Sequence, residues 1–333
     1  MFKKTIAAIA MLGAALGVTA KANAAETLNF GIISTESSTN LKTVWDPFLA
    51  DMAKQTGYDV KPFFASDYAG IIEAMRFKQV DIAWYGNKSA MEAVDRANGE
   101  IFVQTVAADG SAGYYAHLIV PTDSPLNSLE DLLKHGGKDL IFGNGDPNST
   151  SGFLVPGYYV FALNNIDPKT YFKQVLNAGH EANALAVANH QVDVATNNSE
   201  NLARLKVTKP EALDKIKVIW SSPIIPSDPI VWRKDLSDDD KSKLKAFFLG
   251  YGTERAGFTA EQVAAEKAIL AGLQWSNFKP SNDDQLIPIR QLDLFKKKSK
   301  IMADEALSAD EKAKQVAEID EKLKALEAKA KTN

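Results

Sequence analysis

The chain has 333 residues, with 38 basic and 42 acidic side chains and no cysteine. That length exceeds one ordinary domain and suits two of middling size. The acidic balance excludes the basic face that nucleic acid needs. The absence of cysteine excludes disulfides, thiolate chemistry, cysteine-ligated metals and a lipid-modified N-terminal Cys.

Lys3 and Lys4 precede an apolar run from Thr5 to about Ala20, and Ala22-Asn23-Ala24 is a small-x-small cleavage site. Residues 1–24 therefore read as a secretory signal peptide, too short and wrongly flanked for a membrane anchor. Removing them takes away three lysines and no acid, leaving 35 basic and 42 acidic residues and a net charge near −7. A soluble, exported protein is expected, most simply a periplasmic one.

Beyond the leader, residues 28–33 read as a buried strand and 45–56 as a helix closed by Gly57. Residues 59–64 form a second strand, 68–77 a helix with Ile71, Ile72 and Met75 on one side, and 80–84 a third strand. Strand and helix in alternation imply parallel βαβ units with right-handed crossovers.

The pattern then returns at one fixed offset of 112 residues. Gln79-Val80-Asp81-Ile82-Ala83 reappears as Gln191-Val192-Asp193-Val194-Ala195, Phe30-Gly31 as Phe142-Gly143, and Ser37-Ser38-Thr39 as Ser149-Thr150-Ser151. The second copy reads as a strand at 139–142, a helix at 151–163, a strand near Val175, a helix at 180–189 and a strand at 192–196. Two lobes on one plan imply a cleft between them, where small ligands bind. Segments 107–120 and 218–232 are the expected crossings, and 237–290 is expected to return to the first lobe.

The expected organisation is therefore a leader at 1–24, a discontinuous first lobe at 25–115 and 226–290, a second lobe at 116–225, and a helical tail at 291–333. In the tail, Ser308-x-x-Glu311 forms a capping box, and Val316, Ile319, Leu323 and Leu326 follow a 3-4-3 spacing. That helix either docks on the body or pairs two copies into a homodimer.

The sharpest local chemistry lies in Gly143-Asn144-Gly145-Asp146-Pro147-Asn148-Ser149-Thr150-Ser151-Gly152, after a strand and before a helix. A glycine-rich turn there aims backbone N–H groups at a ligand, the helix start favours an anion, and three hydroxyls add donors. No Lys follows the glycines, and Asn148 breaks the GxGxxG pattern, so a nucleotide enzyme is disfavoured. No cofactor and no metal are expected.

Tyr68 and His180 hold matching positions, each 13 residues before Asp81 and Asp193, and each near the carboxyl end of a strand. They are placed to approach one ligand from opposite lobes. Glu200 and Asp228 also fall at the cleft, where carboxylates would attract an ammonium. Asp81 and Asp193 lie at strand starts, away from that edge, and read as structural.

These residues resemble the phosphonate-binding periplasmic proteins of ABC-type importers. The resemblance runs through Leu28-Asn-Phe-Gly-Ile-Ile-Ser-Thr-Glu-Ser37, Asp67-Tyr-Ala-Gly-Ile-Ile72, Val80-Asp-Ile-Ala-Trp-Tyr-Gly86 and Thr105-Val-Ala-Ala-Asp-Gly110. It continues through residues 142–156, Asn177-Ala-Gly-His180 and Asp228-Pro-Ile-Val-Trp232. It implies a two-lobed α/β periplasmic binding-protein fold (type II), each lobe a mainly parallel sheet flanked by helices, with the ligand cleft at the hinge.

By the same resemblance, Ser149, Thr150 and Ser151 hold the phosphonate oxygens, with Tyr68, Tyr114 and His180 completing that group. Glu200 and Asp228 match the acids that face the amino end of 2-aminoethylphosphonate. Asp228 alternatively accepts a proton from a singly protonated phosphonate. The implied partners are an organophosphonate and the membrane subunits of an ABC permease. Family members on this scaffold bind phosphite, hypophosphite or methylphosphonate instead, and a receptor for phosphate is a further alternative. A rival of another class is an exported phosphate or phosphonate ester hydrolase. It is weakened by the absence of Cys, HExxH and GxSxG.

Overall fold

The computed structural model describes residues 25–331, so the leader expected at 1–24 lies outside the described residues. The first repeat gives β1 (Thr27–Ile32), α1 (Ser38–Thr56), β2 (Asp59–Phe64), α2 (Tyr68–Arg76) and β3 (Ile82–Trp84). It is extended by α3 (Asn87–Arg96) and β4 (Gly99–Ala107), two elements not anticipated from spacing. After β5 (Gly113–Tyr114), β6 (Ala116–Pro121) and α4 (Leu129–His135), the second repeat begins with β7 (Ile141–Asn144). It runs through α5 (Pro168–Tyr171), β8 (Gln174–Asn177), α6 (His180–Ala188) and β9 (Val194–Asn198). Next come α7 (Ser199–Thr208), α8 (Pro210–Leu213), β10 (Ile216–Ser221), β11 (Ile225–Pro226) and β12 (Pro229–Arg233). The chain ends with α9 (Asp238–Gly250), α10 (Ala260–Gly272), β13 (Trp275–Pro280), α11 (Ile287–Ala303) and α12 (Ala309–Ala330).

The first sheet has the order β13-β4-β12-β3-β1-β2 and the second β10-β6-β9-β7-β8. Each holds three parallel strands, β2-β1-β3 and β8-β7-β9, with antiparallel strands added beside them. The register repeats too: Phe30 faces Ile82 in the first sheet, and Phe142 faces Val194 in the second. Between the sheets, β5 and β11 pair antiparallel, Tyr114 opposite Ile225, so both crossings run side by side.

Apolar residues at strand spacing build the cores. Phe30, Trp45, Phe48, Tyr85, Phe248 and Trp275 belong to one cluster over the first sheet. The second sheet buries both faces, because alternate residues of a strand point to opposite sides. Val194 joins Phe142 and Phe172 on one face, and Ala195 joins Ala184 and Val187 on the other. Each fully buried large side chain contributes about 1.5–3 kcal/mol.

Two departures from the expected elements have clear causes. The helix expected at 45–56 begins seven residues earlier, because the Ser37 hydroxyl accepts from the Asn40 N–H at 3.3 Å and starts it. Its end is as expected, with Gly57 left-handed at φ 77° and its N–H on Ala53 O. The helix expected at 151–163 is wound instead as π turns, Thr150–Leu154 and Gly157–Phe161. Pro156 lacks the N–H that an α-helix would aim at Gly152 O. That carbonyl accepts from Gly145 N at 3.0 Å instead, and Leu154 N reaches back five residues to Ser149 O at 3.1 Å.

The tail packs on the same chain. The capping box of Ser308 and Glu311 is formed, Ile319 and Leu323 are buried, and α12 lies along α11. Lys298 reaches Asp320 at 2.5 Å, and Lys329 pairs with Asp284. Among the described residues no helix is long and apolar enough to cross a membrane.

Candidate functional site

Five helical starts converge where the carboxyl ends of β1, β3, β7 and β9 face one another. They belong to α2, α3, the first π turn, α6 and α7. The positive ends of their dipoles make that space attractive to an anion. The cavity between them measures about 30 Å3, and its lining includes all eight residues singled out from the sequence: Tyr68, Tyr114, Ser149, Thr150, Ser151, His180, Glu200 and Asp228. A site needs roughly 10–15 Å3 to hold one water, so this space admits only a small ligand.

The donor end is built by the second lobe's glycine-rich loop. Ser149 caps the π turn, its hydroxyl accepting from Gly152 N at 2.9 Å. Gly152 has no alternative there, since a Cβ would stand 2.9 Å from Ser149 Oγ and 3.2 Å from His180 Cε1. His180, the first residue of α6, brings Nε2 to 3.5 Å from Ser149 Oγ and 3.4 Å from Ser151 Oγ. Asn198 at the end of β9 donates to Ser151 Oγ at 3.1 Å. Burial pushes His180 down to about 4, so at neutral pH it is an uncharged imidazole. Its buried Nδ1 has no hydrogen-bond partner.

The first lobe meets this loop directly. Lys88 N donates to Thr150 Oγ1 at 2.8 Å, and Tyr68 N donates to Asp146 Oδ2 at 3.2 Å. Tyr68 is only 2 % exposed, and burial, then the nearby Asp146, raises its hydroxyl well above its ordinary range. Further out, Ser37 N and Asn40 Nδ2 hold the two oxygens of Glu181 at 3.0 and 2.7 Å. Arg204 Nε lies 2.6 Å from Glu36 Oε1 across the same mouth. The two lobes are thus closed on each other.

The acid end is buried. Asp228 Oδ1 accepts from Tyr114 Oη at 2.9 Å and Asn87 Nδ2 at 3.2 Å. Burial, then the neighbouring Glu200 carboxylate, raises Asp228 well above the usual carboxylate range. Burial likewise pushes Glu200 up to about 7, while the Arg204 guanidinium pulls it down. The arrangement therefore places hydrogen-bond donors for oxygens and two buried acids in one cavity.

Trp84, Glu36, Asn198 and Arg204 also line the cavity and were not singled out from the sequence. Trp84 is 6 % exposed and its Nε1 has no hydrogen-bond partner. A signal existed for Asn198, which occupies the position 112 residues after Gly86 at the end of a matching strand. Arg204 stands one helical turn from Glu200, the spacing at which side chains meet. Asp81 and Asp193 lie elsewhere, as expected. Their carboxylates accept from Asn29 N at 2.8 Å and Ile141 N at 2.7 Å, tying strands together.

Residues 30–286 match the family model described as ABC transporter, phosphonate, periplasmic substrate-binding protein. The phosphonates-binding periplasmic protein of Escherichia coli is 60% identical over 296 residues, covering 89% of this chain and 84% of that protein. Among solved structures, a binding protein component of an ABC phosphonate transporter from Pseudomonas aeruginosa superposes with a TM-score of 0.88. It is 60% identical and covers 92% of this chain and 99% of its own. PhnD1 from Prochlorococcus marinus, in complex with methylphosphonate, shares the fold at a TM-score of 0.70 and 22% identity, covering 80% and 97%.

Proposed function

The chain belongs to the periplasmic phosphonate-binding proteins of ABC transporters, and from that premise we propose that it captures 2-aminoethylphosphonate and hands it to a membrane permease. What supports this reading is one small cavity whose lining brings the hydroxyls of Ser149, Thr150 and Ser151 and the His180 imidazole together with the carboxyl groups of Glu200 and Asp228. Ser149, Thr150, Ser151, Tyr68 and His180 receive the phosphonate oxygens. Glu200 and Asp228, with Tyr114 on Asp228, receive the ammonium. Arg204 pairs with Glu36 and also favours the charged form of Glu200.

Ligand binding drives the bodies 25–115 with 226–290 and 116–225 together, and the permease reads the closed form. Contacts such as Lys88 N to Thr150 Oγ1 exist only when the lobes meet.

The hydrolase alternative lacks support in the geometry. A triad would need Asp228 on His180 Nδ1, yet Asp228 is held by Tyr114 and Asn87 and that nitrogen has no partner. Pairing of two copies through α12 would use the face that α11 leaves open. Sedimentation at micromolar concentration tests it, and a monomer mass would remove it.

Calorimetry on ligand-stripped mature protein tests the main reading with 2-aminoethylphosphonate, methylphosphonate, phosphite and phosphate. Sub-micromolar 2-aminoethylphosphonate, beyond about −8 kcal/mol, with far weaker phosphate supports it. Glu200 rests near 7, and a neighbouring ammonium lowers it. An ammonium beside Glu200 and Asp228 favours the charged form of both, so proton linkage at pH 7 differs between 2-aminoethylphosphonate and methylphosphonate, seen as a buffer-dependent enthalpy. Methylphosphonate releases no proton from Glu200. Preference for methylphosphonate or phosphite would reassign both acids.

A further inference from the structure

A second, larger groove of about 710 Å3 lies on the other side of the π-wound segment and shares no lining residue with the cavity described above. One wall is the second lobe, with Phe153, Phe161, Ile166 and Val175 supplying an apolar floor. The opposite wall is α11, with Lys296 and Lys300. That helix is seated on the first lobe. Arg290 grips both oxygens of Asp95 at 2.8 and 2.6 Å, and Ile289 and Leu292 belong to the first core.

The charges in this groove are unbalanced. Lys296 Nζ stands 4.2 Å over the Phe153 ring and presses so close to Gly157 that a Cβ there would be 2.4 Å away. Among the described residues Lys296 makes no ion pair, although its neighbours Lys297 and Lys298 each have one. Burial pushes its ammonium down to about 8, with Asp293 pulling the other way. The two acids of the lining are already engaged with backbone, Asp167 with Lys169 N and Asp304 with Ala306 N, both at 2.9 Å. A half-buried cation over an aromatic floor, with its local acids occupied, matches the chemistry of an anion carrying an apolar body.

We propose that this groove is a second ligand site, for an organic anion whose acid group meets Lys296 and Lys300 and whose apolar body lies on Phe153 and Phe161. The site is independent of which phosphonate the main cavity takes. Phe153 lies two residues beyond Ser151 on the same π turn, so an occupant touches the back of the anion loop.

The test is a fluorescence titration of the mature protein with 1-anilinonaphthalene-8-sulfonate, in the presence of saturating 2-aminoethylphosphonate. Saturable binding of one equivalent is expected. Lys296→Met weakens it at least tenfold, and Lys300→Glu, on the exposed rim and outside any packing, weakens it at least threefold. The uncharged analogue N-phenyl-1-naphthylamine binds at least tenfold more weakly than the sulfonate. Unsaturable binding, displacement of the dye by 2-aminoethylphosphonate, equal affinity for the neutral analogue, or unchanged affinity in folded Lys300→Glu would each overturn the site. If 2-aminoethylphosphonate itself fails to bind, the dye titration still reads out, so the two readings fail separately.

Discussion

The two repeats share a backbone plan but differ at their helix starts. Tyr68 and His180 are both first residues of a helix, yet Asp67 caps the first with its side chain, whereas Gly179 before the second has none to offer. A Cβ at Gly179 would lie 2.9 Å from Ser34 O of the opposite lobe. The same exchange occurs at Gly86 and Asn198, matched by the offset. Gly86 leaves room for Thr150, whose Oγ1 would be 3.3 Å from a Cβ, while Asn198 reaches Ser151 and His180. Where one lobe gives up a capping side chain, the other lobe moves in. Symmetric strands thus carry an asymmetric site.

The largest break of that comparison comes from the matched hydroxyls. On the proposed function, Ser149→Ala with Thr150→Ala removes two hydrogen bonds to a charged ligand, each worth about 1.5–3 kcal/mol. Calorimetry should show phosphonate affinity falling roughly 10²–10⁴-fold. Ser37→Ala with Ser38→Ala, at the matching start of α1, should change it by less than about tenfold, because Glu181 is held there by Ser37 N and Asn40. Comparable losses from both pairs would mean the two helix starts serve the ligand alike.

Next are the matched acids. Asp81→Ala and Asp193→Ala each leave a strand N–H without its carboxylate and should lower stability in urea by about 1–3 kcal/mol. Phosphonate affinity should stay within about threefold. A selective loss of binding in either one would break their equivalence.

The pH dependence of ligand-free stability sharpens the contrast between His180 and Glu200. His180 ordinarily titrates at 6.5 and is near 4 when folded. Between those values the unfolded chain binds more protons, so this group makes stability rise with pH. Glu200 ordinarily titrates at 4.5 and is near 7 when folded. The folded chain then binds more protons, so stability falls as pH rises from 4.5 to 7. The two slopes, each at most about 1.4 kcal/mol per pH unit, oppose one another from 4.5 to 6.5. Denaturant unfolding of His180→Gln should show a more steeply falling curve than wild type in that window, and Glu200→Gln a less steeply falling one, since the raised Asp228 keeps a falling contribution of its own. Curves parallel to wild type in both would refute this opposition.

The smallest effect is expected in the tail. Asp320→Ala breaks an exposed ion pair to Lys298 and should lower stability by about 0.2–1 kcal/mol. A loss above about 2 kcal/mol would show that this pair, and not Ile319 and Leu323, fastens α12.

Much of this was legible in the chain because local spacing reports which way side chains face. The 112-residue offset located both parallel cores, and the same offset paired Tyr68 with His180 and Asp81 with Asp193. All eight residues singled out from the sequence line one cavity. Arg204 was missed because its partner Glu36 is remote in sequence and on the other lobe, and Asn87 because it meets Asp228 of its own lobe only across 141 residues. The docking of α12 on α11 was undecided, since an amphipathic stripe shows that a face is covered without showing by what.

By itself, then, the sequence determined the two-lobed α/β plan, the glycine- and hydroxyl-rich loop at the cavity and the structural role of the repeated aspartates, all of which depend on neighbours along the chain. Tertiary structure alone decided the closure of Lys88 onto Thr150 and the pairing of Arg204 with Glu36. Those contacts join segments far apart in sequence. Their geometry comes from how the sheets pack, and no periodicity along the chain records that distance.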